Sequence, residues 1–87
     1  MRYTPPTPID LEKLKQELKL SSAGMADLFG VQGGRQWRKY TGGETPRDLS
    51  PHLLFFAMAQ LELDSETMER ILNRMRAVGA TIELDKP

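Results

Sequence analysis

The sequence of 87 residues contains no cysteine, a single histidine and a single tryptophan. The lack of cysteine excludes disulfides and thiolate metal sites. Cysteine usage therefore gives no indication of whether the protein works in an oxidising or a reducing compartment. His52 has no second histidine or cysteine near it in sequence, so we expect no metal site. No apolar run approaches the roughly 20 residues of a membrane span, and the polar start MRYTPPTP lacks a signal-peptide core. We therefore expect a cytoplasmic protein with no membrane partner.

An excess of charge of one sign is also missing, because 12 basic residues balance 12 acidic ones. Neutrality at first argues against a nucleic-acid partner, since domains that bind nucleic acids are often basic. The distribution of the charges matters more than their sum. Residues 33–47 contain one acidic residue, Glu44, and four basic residues. The basic residues are Arg35, Arg38, Lys39 and Arg47. A local positive block is therefore predicted on this segment.

Signatures of catalysis are absent as well. The Gly33-Gly34 pair lacks the lysine-serine continuation of a phosphate-binding loop, and no nucleophile has a histidine base in a recognisable pattern. A chain this short forms one domain with a modest core and has little room to enclose a substrate pocket. We expect no enzyme activity, no cofactor and no small-molecule effector.

The clearest signals in the sequence are residues that begin or end helices. Thr7, followed by a proline, predicts the beginning of a first helix over residues 8–18, because threonine caps free N–H groups and proline is tolerated at the first position. Ser21 is the predicted N-cap of a second, short helix over residues 22–29. Gly30 ends this helix, since glycine readily adopts the left-handed conformation of a C-cap.

The next segment predicts a turn at residues 32–34 and a third short helix over residues 35–41. Trp37 and Tyr40 are three residues apart and share one helical face. The basic residues fall on the opposite side, so this helix has an aromatic inner face and a basic outer face.

Two further helices follow. Ser50, with a proline after it, begins a fourth helix in which residues 53–61 are apolar almost all round, a pattern typical of the most buried helix of a bundle. Asp64 or Ser65 caps a fifth helix that ends at Gly79. Its apolar stripe has the i, i+3, i+4, i+7 spacing and consists of Met68, Ile71, Leu72, Met75 and Val78.

The two ends leave alternatives open. Residues 1–7 are predicted to be extended, residues 8–79 to form the helical domain and residues 80–87 to form a tail. Residues 80–84 alternate apolar and polar positions, which is consistent either with a short strand that pairs with a second subunit or with a frayed tail. Arg2 and Tyr3 fit a minor-groove arm, but a disordered terminus is the preferred interpretation.

This order of elements fits a helix-turn-helix, in which the second of two short helices enters a major groove about 12 Å wide. Residues 20–31 resemble the first half of the Xre-type helix-turn-helix shared by phage Cro proteins and repressors. Residues 40–46 resemble the Trp-Glu-x-Gly-Glu-x-x-Pro ending of that family, and the whole resemblance covers roughly residues 9–61. The stretch between Gly30 and Tyr40 is one residue longer than the family usually has.

The resemblance implies an all-α, five-helix, lambda-repressor-like domain with or without a short C-terminal strand. It implies sequence-specific binding to double-stranded DNA by a transcriptional regulator, most simply a repressor, that acts as a homodimer on a palindromic operator. The implied base-contacting residues are Arg35, Gln36 and Lys39. The implied phosphate-contacting residues are Ser21, Ser22, Arg38 and Arg47.

Two other functions remain open at this point. The same fold serves a protein-binding module, such as an antitoxin or a small phage inhibitor, or a purely structural helical domain. The basic cluster would then be an ordinary solvated helix face.

Overall fold

A computed structural model describes residues 1–84, and within them the chain forms five helices and no strand. The predicted all-α class is confirmed for this part of the chain. The helices are α1 (Pro8–Leu18), α2 (Ser22–Phe29), α3 (Gly33–Thr41), α4 (Pro51–Glu62) and α5 (Ser65–Ala77). None of these helices has the length and apolarity needed to cross a membrane.

The predicted ends of α1 and α2 are confirmed, and side-chain caps explain them. At the start of α1 the Thr7 hydroxyl accepts the Asp10 N–H at 3.1 Å, while the Asp10 carboxylate accepts the Thr7 N–H at 2.9 Å. This reciprocal pair is a capping box, which satisfies two otherwise free donors. At the start of α2 the Ser21 hydroxyl accepts the Gly24 N–H at 3.1 Å. Gly30 ends α2 in the left-handed conformation.

The core is centred on α2. The buried residues of the main cluster are Leu11, Met25, Ala26, Phe29, Trp37, Leu49 and Ala57. Three of these seven belong to α2, which packs against both α3 and α4, while α1 packs against α3. Helix α2, the first of the two short helices of the predicted helix-turn-helix, therefore contributes more residues to the core than any other helix.

The prediction that α4 would be the most buried helix is wrong. Only Ala57 of α4 is fully buried, and the Phe55 side chain is 76% exposed. One side of α4 is covered by α2, to which the Gln60 amide is tied by a 2.6 Å hydrogen bond to the Leu28 carbonyl oxygen. No element in the described residues covers the opposite side of α4. Its apolar side chains on that side are therefore exposed, although the helix is apolar almost all round.

The predicted start of α3 at Arg35 is also wrong, by two residues. The helix begins at Gly33, so the two glycines expected in the turn form its first turn instead. The physical reason is tertiary, because Gly34 lies directly against the first turn of α2. The low helix propensity of glycine is overridden by a contact that no larger residue allows.

Helix α5 is the least integrated element. Its N-cap is Asp64, whose carboxylate accepts the Thr67 N–H at 2.7 Å. Two residues of the predicted apolar stripe, Met68 and Leu72, are buried, and the other three are exposed, namely Ile71, Met75 and Val78. In the described part of the chain α5 packs only weakly on the other helices, so three of the five residues of its apolar stripe are exposed to solvent.

The C-terminal residues do not form a strand in the single chain, which was one of the two alternatives for this segment. Residues 80–84 have no regular structure and turn back along α5. The Ala80 N–H donates to the Met75 carbonyl oxygen at 3.1 Å, and the Arg76 guanidinium donates to the Ile82 carbonyl oxygen at 2.8 Å. These bonds satisfy backbone groups that a strand would offer to a partner. The remainder of the predicted tail, residues 85–87, lies outside the described residues.

Candidate nucleic-acid interface

The inner face of α3 is fixed by aromatic packing. Trp37 is fully buried, with its ring centroid 4.8 Å from that of Phe29 and 6.2 Å from that of Tyr40. These separations and tilts are typical of favourable aromatic pairs. The indole N–H of Trp37 has no hydrogen-bond partner among residues 1–84, so the helix is held by apolar and aromatic contact. The predicted core position of Trp37 is confirmed.

The outer face of α3 follows from the position of Trp37. Successive residues of an α-helix are rotated by about 100°, so Arg35 and Lys39, two residues before and after Trp37, both lie about 160° away from it. Both side chains are exposed. Arg38 and Gln36 lie about 100° to either side, where Arg38 is exposed and Gln36 is half-buried. Arg35 and Lys39 therefore point outward and Gln36 flanks them, and we call these three predicted base-contacting residues the α3 ridge (Arg35, Gln36, Lys39).

Gly34 sets the closeness of α3 to α2. A Cβ atom at this position would lie 3.0 Å from the Ala23 backbone nitrogen and 3.1 Å from the Ser22 Cβ. Contacts of this length are tighter than nine in ten real Cβ contacts, and two of the three nearest atoms are backbone, so a larger residue would push the two helices apart by a few tenths of an ångström. The preceding residue, Gly33, has φ +84°, a conformation that favours glycine. The glycine pair thus brings the first turns of α2 and α3 together.

The beginning of α2 lies beside the beginning of α3 and carries the two predicted serines. Ser21 is exposed, and because its oxygen already accepts the Gly24 N–H, its own O–H is left to donate outward. Ser22 is half-buried against Gly34. The free N–H groups and the dipole of a helix N-terminus favour an anion. Ser21 is therefore better placed than Ser22 to contact a phosphate.

The loop after α3 returns to the last turn of that helix. The Arg47 N–H donates to the Lys39 carbonyl oxygen at 2.8 Å, and the Gly42 N–H donates to the Arg38 carbonyl oxygen at 3.0 Å. The Arg47 side chain is exposed. These two bonds place the backbone of Arg47 next to the C-terminal end of the α3 ridge, although the two segments are separated by eight positions in sequence.

The positive charges of this surface are not neutralised within the described chain. Between residues 1 and 84 the ion pairs are Lys15–Glu12 at 3.9 Å and Arg76–Glu69 at 2.8 Å. The four basic side chains of the surface are in neither pair, and these are Arg35, Arg38, Lys39 and Arg47. Arginine and lysine donors can bond phosphate oxygens or the O6 and N7 acceptors of guanine, and a glutamine amide can bond adenine.

Sequence reasoning found the charged and polar residues of this surface but not the role of Gly34. A glycine inside a helix is a signal for close backbone approach, but local propensity places Gly34 in a turn, so the sequence alone does not reveal this role. Among residues 1–84 no group of three or more histidine, aspartate or glutamate side chains is arranged to hold a metal ion.

Comparison with known proteins found no match to a protein-family model, to a curated protein or to a solved structure.

Proposed function

We propose that this chain is a sequence-specific binder of double-stranded DNA, with a lambda-repressor-like helix-turn-helix formed by α2 and α3, and that it acts as a transcriptional repressor. The observation that carries the proposal is the α3 ridge. Its basic side chains are exposed and free of ion pairs within residues 1–84, and they project from a helix whose other face is locked by Trp37. A short helix presented in this way can enter a major groove.

The proposal gives different tasks to different residues. Arg35 and Lys39 read base edges, because they lie on the side of α3 opposite the buried Trp37, and Gln36 joins them from the edge of that face. Arg38 lies on the flank of that face and Arg47 lies in the loop beside its end, so both hold phosphates. Ser21 and Ser22 add contacts at the N-terminus of α2, with Ser21 as the more accessible donor. Phosphate contacts position the protein, and base contacts specify the sequence.

The active species is proposed to be a homodimer on a palindromic operator. Support comes from the exposed part of the apolar stripe of α5, formed by Ile71, Met75 and Val78, which are 41%, 37% and 86% exposed. Their positions fall within about 60° of one another on the helix, so they form one continuous strip for a second copy. A two-fold dimer would then present two α3 helices to half-sites about 34 Å apart.

A protein-binding module is the second candidate, and a specific observation favours it. Phe55 on α4 and Val78 on α5 are 76% and 86% exposed. Exposed large apolar side chains of this kind are a feature of protein-binding surfaces when they are contiguous. In that case the protein would bind a partner through α4 and α5, and the α3 ridge would be a solvated face.

Salt dependence separates the two candidates. Fluorescence anisotropy of labelled duplexes should be measured with the full chain between 50 and 400 mM salt. Each phosphate contact made by a cation lowers the slope of log K against log salt by about 0.9. Arg38 and Arg47 in two subunits make four such contacts, which together contribute about −4 to the slope.

The matched variants are Arg38→Ala, which removes one contact per subunit, and Arg70→Ala, which removes an exposed arginine on α5. The first should make the slope shallower by about 2 in the dimer, and the second should leave it unchanged. A flat salt response, or no duplex binding at low salt, would reject the DNA-binding proposal and favour the protein-binding one.

A further inference from the structure

The N-terminal segment is not a free end, in contrast to the preferred interpretation of the sequence. The Tyr3 hydroxyl donates a 2.7 Å hydrogen bond to the carbonyl oxygen of Leu49, a core residue that is only 1% exposed. Pro5 and Pro6 between this anchor and α1 are half-buried. The two prolines restrict the backbone, and together with the hydrogen bond of Tyr3 they hold residues 3–7 against the domain.

The Tyr3 hydroxyl is suited to donate the hydrogen bond to the Leu49 carbonyl oxygen. Burial, and secondarily the nearby Asp48 carboxylate, raise the pKa of Tyr3 above its ordinary value. The direction of this shift favours the protonated hydroxyl. Since the Leu49 carbonyl can only accept, the bond requires a protonated phenol.

The anchor lies next to the candidate interface. Leu49 follows Arg47 by two positions, and Arg47 is itself tied by its N–H to the Lys39 carbonyl oxygen at 2.8 Å. The chain of contacts thus runs from the end of the α3 ridge through the loop to Tyr3. Arg2 is adjacent to Tyr3, about 3.8 Å away between Cα atoms, and it is exposed. No ion pair involves Arg2 within residues 1–84.

We propose that Tyr3 is a positioning residue that holds Arg2 beside the α3–α4 loop, where Arg2 binds a backbone phosphate of the duplex beyond the one held by Arg47. This inference rests on the proposed DNA-binding function and extends its surface to the N-terminal segment. The contact is with phosphate and does not read bases, because Arg2 is reached through the loop and not from the α3 ridge. Arg2 therefore adds affinity for every duplex alike.

The expected effects are measurable by anisotropy with full-length protein and a duplex selected by the wild type. In each subunit one phosphate contact contributes a factor of about eight at 0.1 M salt, so its loss from both subunits of the dimer should lower the affinity about 60-fold and the steepness of the salt slope by about 1.8. Arg2→Ala should show both changes and keep the wild-type ratio of affinities for selected and scrambled duplexes. Tyr3→Phe keeps the ring and Arg2 but removes the donor, and it should weaken binding several-fold without reducing selectivity.

Arg70→Ala is the control, since it removes the same side chain from α5. Thermal unfolding of each variant shows whether the fold is retained, and amide exchange at the N-terminal residues reports whether Tyr3→Phe releases the segment. If Arg2→Ala keeps the wild-type affinity and salt slope while Arg35→Ala and Lys39→Ala lose binding, this inference is overturned. The proposed function would still stand in that case. A wild-type protein that binds no duplex would overturn both.

Discussion

Substitution of Gly34 by alanine tests whether the first turns of α2 and α3 are in direct contact. In an open helical position this change would stabilise the protein by about 1 kcal/mol, because alanine has the higher helix propensity. At Gly34 the new Cβ would meet three atoms at 3.0–3.2 Å, two of them backbone atoms of Ser22 and Ala23. Backbone cannot rotate away as a side chain can, so α3 must shift.

The expected magnitude follows from two opposing effects. Overpacking by one methyl group in a tight contact costs about 1–3 kcal/mol, which exceeds the gain from helix propensity. We expect a net destabilisation of about 1 kcal/mol, equivalent to a fall in Tm of about 4–8 °C for a domain of this size. DNA affinity should fall further, because the shift displaces the α3 ridge relative to Ser21.

Gly42→Ala is the matched control for Gly34→Ala. Gly42 has φ −142° and the nearest atom to a Cβ placed there is the Arg38 carbonyl oxygen at 3.7 Å, an ordinary contact. This variant should unfold within a few degrees of the wild type in calorimetry, and it should keep its affinity for DNA. If Gly34→Ala were instead more stable than the wild type, the close approach of the two helices would be refuted.

Three further predictions concern bases, pH and assembly. Arg35→Ala should reduce the preference for a selected duplex over a scrambled one, whereas Arg38→Ala should weaken both alike, and identical behaviour in titrations would contradict the division between base and phosphate contacts. Hydrogen bonding from Thr67, first its side chain and then its backbone N–H, lowers the pKa of Asp64 below its ordinary value. The cap therefore stabilises α5 above about pH 4 and is lost as the pH falls through the folded-state pKa, so in melts from pH 6 to 3 the Tm of the wild type should fall more steeply than that of Asp64→Asn. Ile71→Glu should convert a dimer to a monomer in light scattering while α5 remains folded, and a variant that stays dimeric would exclude the exposed α5 stripe as the interface.

The parts of the fold that the sequence predicts well are those specified by neighbouring residues. The bounds of α1 and α2 follow from caps that lie within three residues of each helix end, such as Thr7 with Asp10 and Ser21 with Gly24. Local hydrogen bonds of this kind depend only on residue type and spacing. Their prediction from sequence therefore needs no knowledge of the tertiary structure.

The parts that the sequence predicts poorly depend on contacts between distant segments. Gly34 belongs to α3 because of its contact with Ser22 and Ala23, and local propensity alone favours a turn there. Phe55 is exposed because no described element covers its side of α4, which apolarity cannot reveal. Tyr3 is held by a residue 46 positions away in sequence. Each of these outcomes depends on the packing partner and not on the residue itself.

The candidate interface shows the same division. Periodicity alone places Arg35 and Lys39 opposite Trp37, and the exposure of both side chains agrees with that placement. It does not show how far α3 stands out from α2, since this distance depends on Gly34. Nor does it show that Arg47 returns to Lys39 through a backbone hydrogen bond. The chemistry of the surface was therefore predictable, and its geometry was not.

The central claim, sequence-specific recognition of duplex DNA by α3, is tested most directly by selection from a random duplex pool. Purified full-length protein should be incubated with the pool at low salt, and the retained duplexes should be sequenced after successive rounds. We expect an enriched inverted repeat with half-sites about one helical turn apart, and loss of the enriched bases when Arg35 or Lys39 is replaced by alanine. Retention of the pool without any enriched motif, or no retention at all, would contradict the claim.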